Sequence, residues 1–124
     1  AQRWVMEVGY ETLHRAGWRR KELLGQRIGT FMGDSGSEWN QVWNSPSVFN
    51  AASNMNQVTI TRLGHLLGLT GPNISVDTAC SASLVAANAA CHMMRNFTYL
   101  KGREDPLIYK NYEIPLKGAL CMGV

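Results

Sequence analysis

The chain has 124 residues, 45% of them hydrophobic and 17% charged, with a formal net charge of +3. That length fits one domain, and the composition is that of a folded globular protein rather than a disordered one. Two classes are disfavoured: no nucleic-acid patch is expected, because the one basic cluster, Arg19-Arg20-Lys21, adjoins Glu22 and reads as a solvated loop, and no membrane span, because no run approaches about 20 apolar residues.

Residues 2–16 have the periodicity of an amphipathic helix. Val5, Met6, Val8, Tyr10, Thr12, Leu13 and Ala16 spread over a wide arc, with Glu7, Glu11, His14 and Arg15 opposite and a Glu11–Arg15 pair at i, i+4. Gly17 closes this helix. After a polar connection with a short helical turn near 21–24, Ile28 to Gly33 reads as a strand with Gly29, Phe31 and Gly33 on one side and Ile28, Thr30 and Met32 on the other. Its glycines allow another element to approach the backbone closely. Asp34 to Ser37 is a turn able to cap a short stretch over 38–43, and it lacks the Lys and Gly spacing of a phosphate loop. A loop over 44–53 leads into a second helix, from about 53 or 54 to Leu67, bounded by Gly68 and the Gly71-Pro72 turn.

The informative stretch follows. Asn73 to Val76 reads as a short strand, then come Asp77-Thr78-Ala79-Cys80-Ser81 and a helical pattern over about 81–95. A helix N-terminus has partial positive charge and unpaired N–H groups, which favour a thiolate and can hold an oxyanion formed when it attacks a carbonyl. The helix is rich in Ala, Leu, Val and Met nearly all round, so it is expected to be buried. Residues 96–117 form a polar excursion, and Gly118 to Val124 return as a buried strand. Alternating helices and strands predict an α/β fold with parallel pairing.

Cys80, Cys91 and Cys121 make an odd count without framework spacing, which favours a reducing compartment. On one helix, Cys80 and Cys91 would be about 16 Å apart along the axis, too far for a disulfide. Cys91 and Cys121 are read as buried structural thiols. His14, His65 and His92 are isolated and read as surface or satisfied histidines, and no Cys/His grouping has zinc spacing. From the residues alone, Cys80 is either an acyl-transfer nucleophile or a structural cysteine.

The run Val76-Asp77-Thr78-Ala79-Cys80-Ser81-Ala82-Ser83-Leu84-Val85-Ala86 closely resembles the nucleophile motif of β-ketoacyl synthases, the ketosynthase domains of polyketide and fatty acid synthases. Residues 2–17, Arg27 to Gly33, Arg62-Leu63, Leu67 to Pro72 and Ala119 to Val124 are similar to the family's flanking segments in the same order. There are departures: 98–116 is longer than the usual connection and is expected to be an insertion, Met122 stands where Gly is common, and Ala82 replaces a frequent Ser. None of these touches Cys80.

The resemblance implies a thiolase-like layered α/β/α/β/α fold. Residues 1–124 would be a partial N-terminal domain, cut at both ends, holding part of the first half. It assigns Cys80 as the catalytic residue, acylated from phosphopantetheine on an acyl carrier protein or carrier domain, before a malonyl-type thioester is decarboxylated and condensed with the acyl group. It implies no cofactor bound by this segment, no metal and a homodimer of the full-length protein. The expected place is the cytoplasm, with a plastid as the alternative. The family's two catalytic histidines and its lysine fall C-terminal to the motif, outside these residues, so the isolated segment is expected to be inactive. Two other readings stand beside this one: a non-condensing dimerisation or docking domain, and a thiol hydrolase or protease.

Overall fold

The computed structural model describes residues 2–35, 55–99 and 116–124, with side chains as far as Arg95 in the second stretch. The elements are α1 (Gln2–Arg15), α2 (Arg20–Leu23), β1 (Ile28–Gly33), α3 (Asn56–Leu67), β2 (Asn73–Val76), a 3₁₀ turn (Ala79–Ser81), α4 (Ala82–Tyr99) and β3 (Gly118–Gly123). The stretches read as 38–43 and 44–53, and most of the polar excursion, lie outside the described residues.

The three strands form one sheet in the order β2-β1-β3, parallel throughout. The central strand β1 is buried at every position. Ile28 and Met32 pack with Val5 and Leu13 of α1, Leu23 of α2, Ile60, Leu63 and Leu67 of α3, and Leu120 of β3. Phe31, on the opposite face, packs with Ala86 and Ala90 of α4. Helices therefore cover both faces, as parallel sheets require. On the α3 side the Thr30 hydroxyl donates to the side-chain oxygen of Asn73, its register partner on β2.

Helix ends follow the residues. Gly17 has φ +92°, and Gly68 at φ +66° is the left-handed cap of α3, with the Leu69 N–H donating to the Gly64 carbonyl. The Glu11–Arg15 pair forms at 2.6 Å on the exposed face of α1. The buried stripe of α1 is narrower than expected, at Val5, Gly9 and Leu13, while Val8, Tyr10, Thr12 and Ala16 are exposed. Gly9 explains this: a Cβ there would come within 2.6 Å of Leu63 Cδ2, so the helices meet at the glycine rather than across a broad apolar arc.

Three expectations are corrected. Helix α4 is not buried all round: Ala82, Ala86 and Ala90 face the sheet, but Leu84 is 73% exposed and Val85, Cys91 and Met94 are also exposed. Three strands cover only one stripe of an 18-residue helix. Likewise, β3 buries only Leu120, because it is an edge of the described sheet. The helix also runs to Tyr99, beyond the expected end near Arg95, since no Gly or Pro interrupts it before Gly102.

Gly33 marks the closest approach of helix and sheet. A Cβ at this position would overlap the backbone of Ala82 and Ser83, at the start of α4. Gly33→Ala should lower the unfolding free energy by about 1–3 kcal/mol, read from the urea midpoint. An unchanged midpoint would contradict this packing.

Candidate active site

The last residues of the strands, Val76, Gly33 and Gly123, lie side by side at the C-terminal edge of the sheet. The ladder continues one step further, with the Asp34 N–H donating to the Val76 carbonyl and the Val124 N–H to the Gly33 carbonyl. Two of the three edge positions carry no side chain. The first turn of α4 rests there, with Ser83 against both glycines. Helix α3, which follows β1, and α4, which follows β2, pack on opposite faces. Where successive connections diverge in this way, open α/β sheets form a crevice at the carboxyl ends of the strands.

The segment from β2 to α4 spans that edge. Thr78 is still non-helical at φ −135°, ψ 38°, whereas Ala82 is fully helical at φ −56°, ψ −44°. Between them Ala79 has φ +51°, the one non-glycine residue with positive φ among the described residues. An L-residue held there costs about 1–2 kcal/mol, so the turn has to be held by its surroundings. The Ala79 N–H donates to Asp77 Oδ1 at 3.1 Å. The Ser81 hydroxyl donates to the Thr78 carbonyl at 2.9 Å and lies 3.1 Å from Thr78 Oγ1, and the Ser81 N–H donates to the same carbonyl at 3.3 Å. Cys80 sits in the middle of this turn with its thiol free and exposed.

A short strand, a tight turn and a helix thus present an accessible thiol at the head of α4, which is where the sequence places the nucleophile. The chain matches the family described as the N-terminal domain of β-ketoacyl synthases over residues 1–98. The chain belongs to the β-ketoacyl synthase family. It is 37% identical over 98 residues to a phenolphthiocerol/phthiocerol polyketide synthase of Mycobacterium tuberculosis, 76% of this chain and 6% of that protein. To the 5-methylorsellinic acid synthase of Aspergillus terreus it is 35% identical over 95 residues, 75% of this chain and 4% of that one. Its fold is similar to the ketosynthase from module 6 of the bacillaene synthase of Bacillus subtilis 168, with TM-score 0.67 and 27% identity over 77% of this chain and 16% of that one. The ketosynthase fold is thus present in part: two helical layers around a parallel sheet. The chain spans only a small fraction of the length of the relatives it matches.

The other sequence candidates do not join Cys80. His14 and His65 lie on α1 and α3, across the sheet from α4, and His14 contacts the Tyr10 ring at 6.2 Å on the exposed face. His92 is nearly three turns along α4 from its start. An open groove of about 500 Å³, lined by Met6, Thr61, Arg62, His65 and Leu66, lies between α1 and α3 and contains none of the turn residues. Among the described residues no group of three or more His, Cys, Asp or Glu is placed to hold a metal ion, and no helix is long and apolar enough to cross a membrane.

Cys91 and Cys121, expected to be buried, are both exposed. Cys121 is the register partner of Phe31 on the edge strand β3, on the side of the sheet that α4 covers only in part. Partial burial, together with Coulombic repulsion from the neighbouring Cys91, pushes the Cys121 thiol above its ordinary range. Sequence reasoning also missed Asp77 and the conformation of Ala79. The available signal was an Asp two residues ahead of a tight turn, a position from which its carboxylate bonds the backbone.

At pH 8 iodoacetamide should therefore modify Cys121 more slowly than free cysteine, and Cys91→Ser should narrow the difference. Equal rates for Cys121 and free cysteine, measured by peptide mass spectrometry, would contradict the assignment.

Proposed function

We propose that the full-length protein is a condensing enzyme in which Cys80 carries the growing acyl chain, as part of a polyketide synthase. The single observation that carries this reading is the exposed Cys80 thiol on the turn between β2 and α4, within a segment of the ketosynthase family. Relatives named as polyketide synthases, among them the mycobacterial one described above, support that product class over fatty acids.

In the proposed reaction Cys80 Sγ, as thiolate, attacks the thioester carbonyl of an acyl group held on the phosphopantetheine arm of a carrier domain. A bond forms between Sγ and the carbonyl carbon, the carbon–sulfur bond to phosphopantetheine breaks, and that thiol leaves carrying the proton lost by Cys80. The product is an acyl thioester on Cys80, whose carbonyl carbon stays electrophilic. In this reading the Cys80 N–H donates to the oxyanion of the tetrahedral intermediate. Loss of CO₂ from a malonyl-type thioester then supplies the carbanion that attacks the acyl carbon and frees Cys80. The resemblance puts the family's two catalytic histidines and its lysine C-terminal to these residues, and His14, His65 and His92 are not recruited.

The remaining expectations belong to the same proposal. The family match ends at residue 98, yet β3 pairs with β1 in register from Ile28–Gly118 to Gly33–Gly123. That pairing supports reading 1–124 as one partial ketosynthase domain with an insertion at 98–116. Three free thiols support a reducing setting, which we take to be the cytoplasm. The homodimer rests on the resemblance.

Cys80→Ala in the full-length protein should reduce chain elongation at least about a thousandfold and abolish the acyl mass increment at residue 80. An elongating Cys80→Ala enzyme would sink the assignment. The isolated 124 residues should show no condensation, and measurable turnover by them would refute the need for groups outside this segment.

A further inference from the structure

We propose that Asp77 is a positioning residue for Cys80, acting through the backbone of Ala79. The inference rests on the reading of Cys80 as nucleophile and deepens it.

The chain must pass from the extended β2 to the helical α4 between Val76 and Ala82, and Ala79 makes that change by adopting φ +51°. This torsion orients the peptide between Ala79 and Cys80, which carries the Cys80 N–H, and it sets the direction in which Cys80 leaves the turn. Alanine gains nothing from this conformation and returns to negative φ when released. The bond from the Ala79 N–H to Asp77 Oδ1, at 3.1 Å, is the side-chain tie on that residue. The Ser81 hydroxyl and N–H donate to the Thr78 carbonyl, across Ala79 and Cys80, and the Ala82 N–H donates to the Ala79 carbonyl. Gly33 and Gly123 hold the start of α4 against the sheet, so the head of the helix is fixed. Ala79 is thus held at its carbonyl by the backbone of α4 and at its N–H by the Asp77 side chain, which adds the tie on the side where the positive φ is set. The role requires an oxygen acceptor at that position and requires no charge.

A stabilising bond alone does not make a positioning residue, so the test compares two reactions of the same thiol. Acyl transfer from a simple thioester requires an aligned oxyanion donor. Alkylation by iodoacetamide forms no oxyanion and depends far less on that alignment. Both would be measured on Cys80 in the full-length protein by peptide mass spectrometry, with thermal midpoints for every variant. Asp77→Ala should slow acylation roughly ten- to a hundredfold while changing alkylation by less than about threefold. Asp77→Asn keeps the side-chain oxygen and should acylate within about threefold of wild type. Adding Ala79→Gly to Asp77→Ala should restore most of the lost rate, because glycine occupies positive φ without a tie. Ala79→Val, which disfavours positive φ more strongly, should behave like Asp77→Ala and serves in its place if that variant does not fold.

Acylation at the wild-type rate in Asp77→Ala would overturn the proposal. So would an Asp77→Asn variant as slow as Asp77→Ala, which would assign the effect to charge. Failure of Ala79→Gly to restore the rate would show that Asp77 does not act through residue 79. A parallel fall in acylation and alkylation would mark general disruption and also overturn it. Wild-type protein that takes no acyl group at Cys80 would remove the nucleophile reading itself, before any variant is compared.

Discussion

Where β1 ends, the missing side chain of Gly33 lets the first turn of α4 rest directly on the sheet. That contact fixes how far the helix stands from the strands and where its first residue falls. The alanines behind it, Ala82, Ala86 and Ala90, keep the same close distance along the helix, with Phe31 filling the space they leave. The turn holding Cys80 has one end on β2 and the other on this seated helix. Its geometry therefore depends on a contact between the Gly33 backbone and that of Ala82 and Ser83.

The two faces of the sheet solve different problems. Toward α1 and α3, large side chains such as Ile28, Met32, Leu63 and Leu67 interlock, and burial of apolar area supplies the cohesion. Toward α4, small side chains predominate, and precision of approach replaces bulk. The face nearest the thiol is thus the one with fewest large groups to rearrange. The polar atoms of the turn bond to one another, through Asp77, Thr78, Ala79 and Ser81, without drawing on the apolar layers.

Much of this was legible in the residues. Alternation in Ile28–Gly33 correctly assigned the two faces of β1, and Gly17 and Gly68 ended their helices as glycines in the left-handed region do. Asn73–Val76 was recognisable as a strand, and the cysteine motif carried the family. What failed was burial at the periphery. An apolar helix reads as enclosed, but enclosure depends on how many neighbours reach it, which no local pattern in α4 or β3 records. The tie from Asp77 to Ala79 was hidden for another reason: alanine is an ordinary helix residue, and nothing in its identity reveals a positive φ.

The sheet also has an order of assembly written into it. The strand β1 pairs on one side with β2, but on the other its partner is β3, so that Ile28 meets Gly118, far along the sequence. Closing such a distance costs entropy before any contact rewards it, and parallel pairings of this kind form late. During synthesis, one edge of the most buried strand therefore waits uncovered until β3 emerges. A ribosome-bound chain stopped before residue 118 would present that edge to other chains, and lengthening the segment between α4 and β3 would extend the wait without altering a single contact in the finished fold.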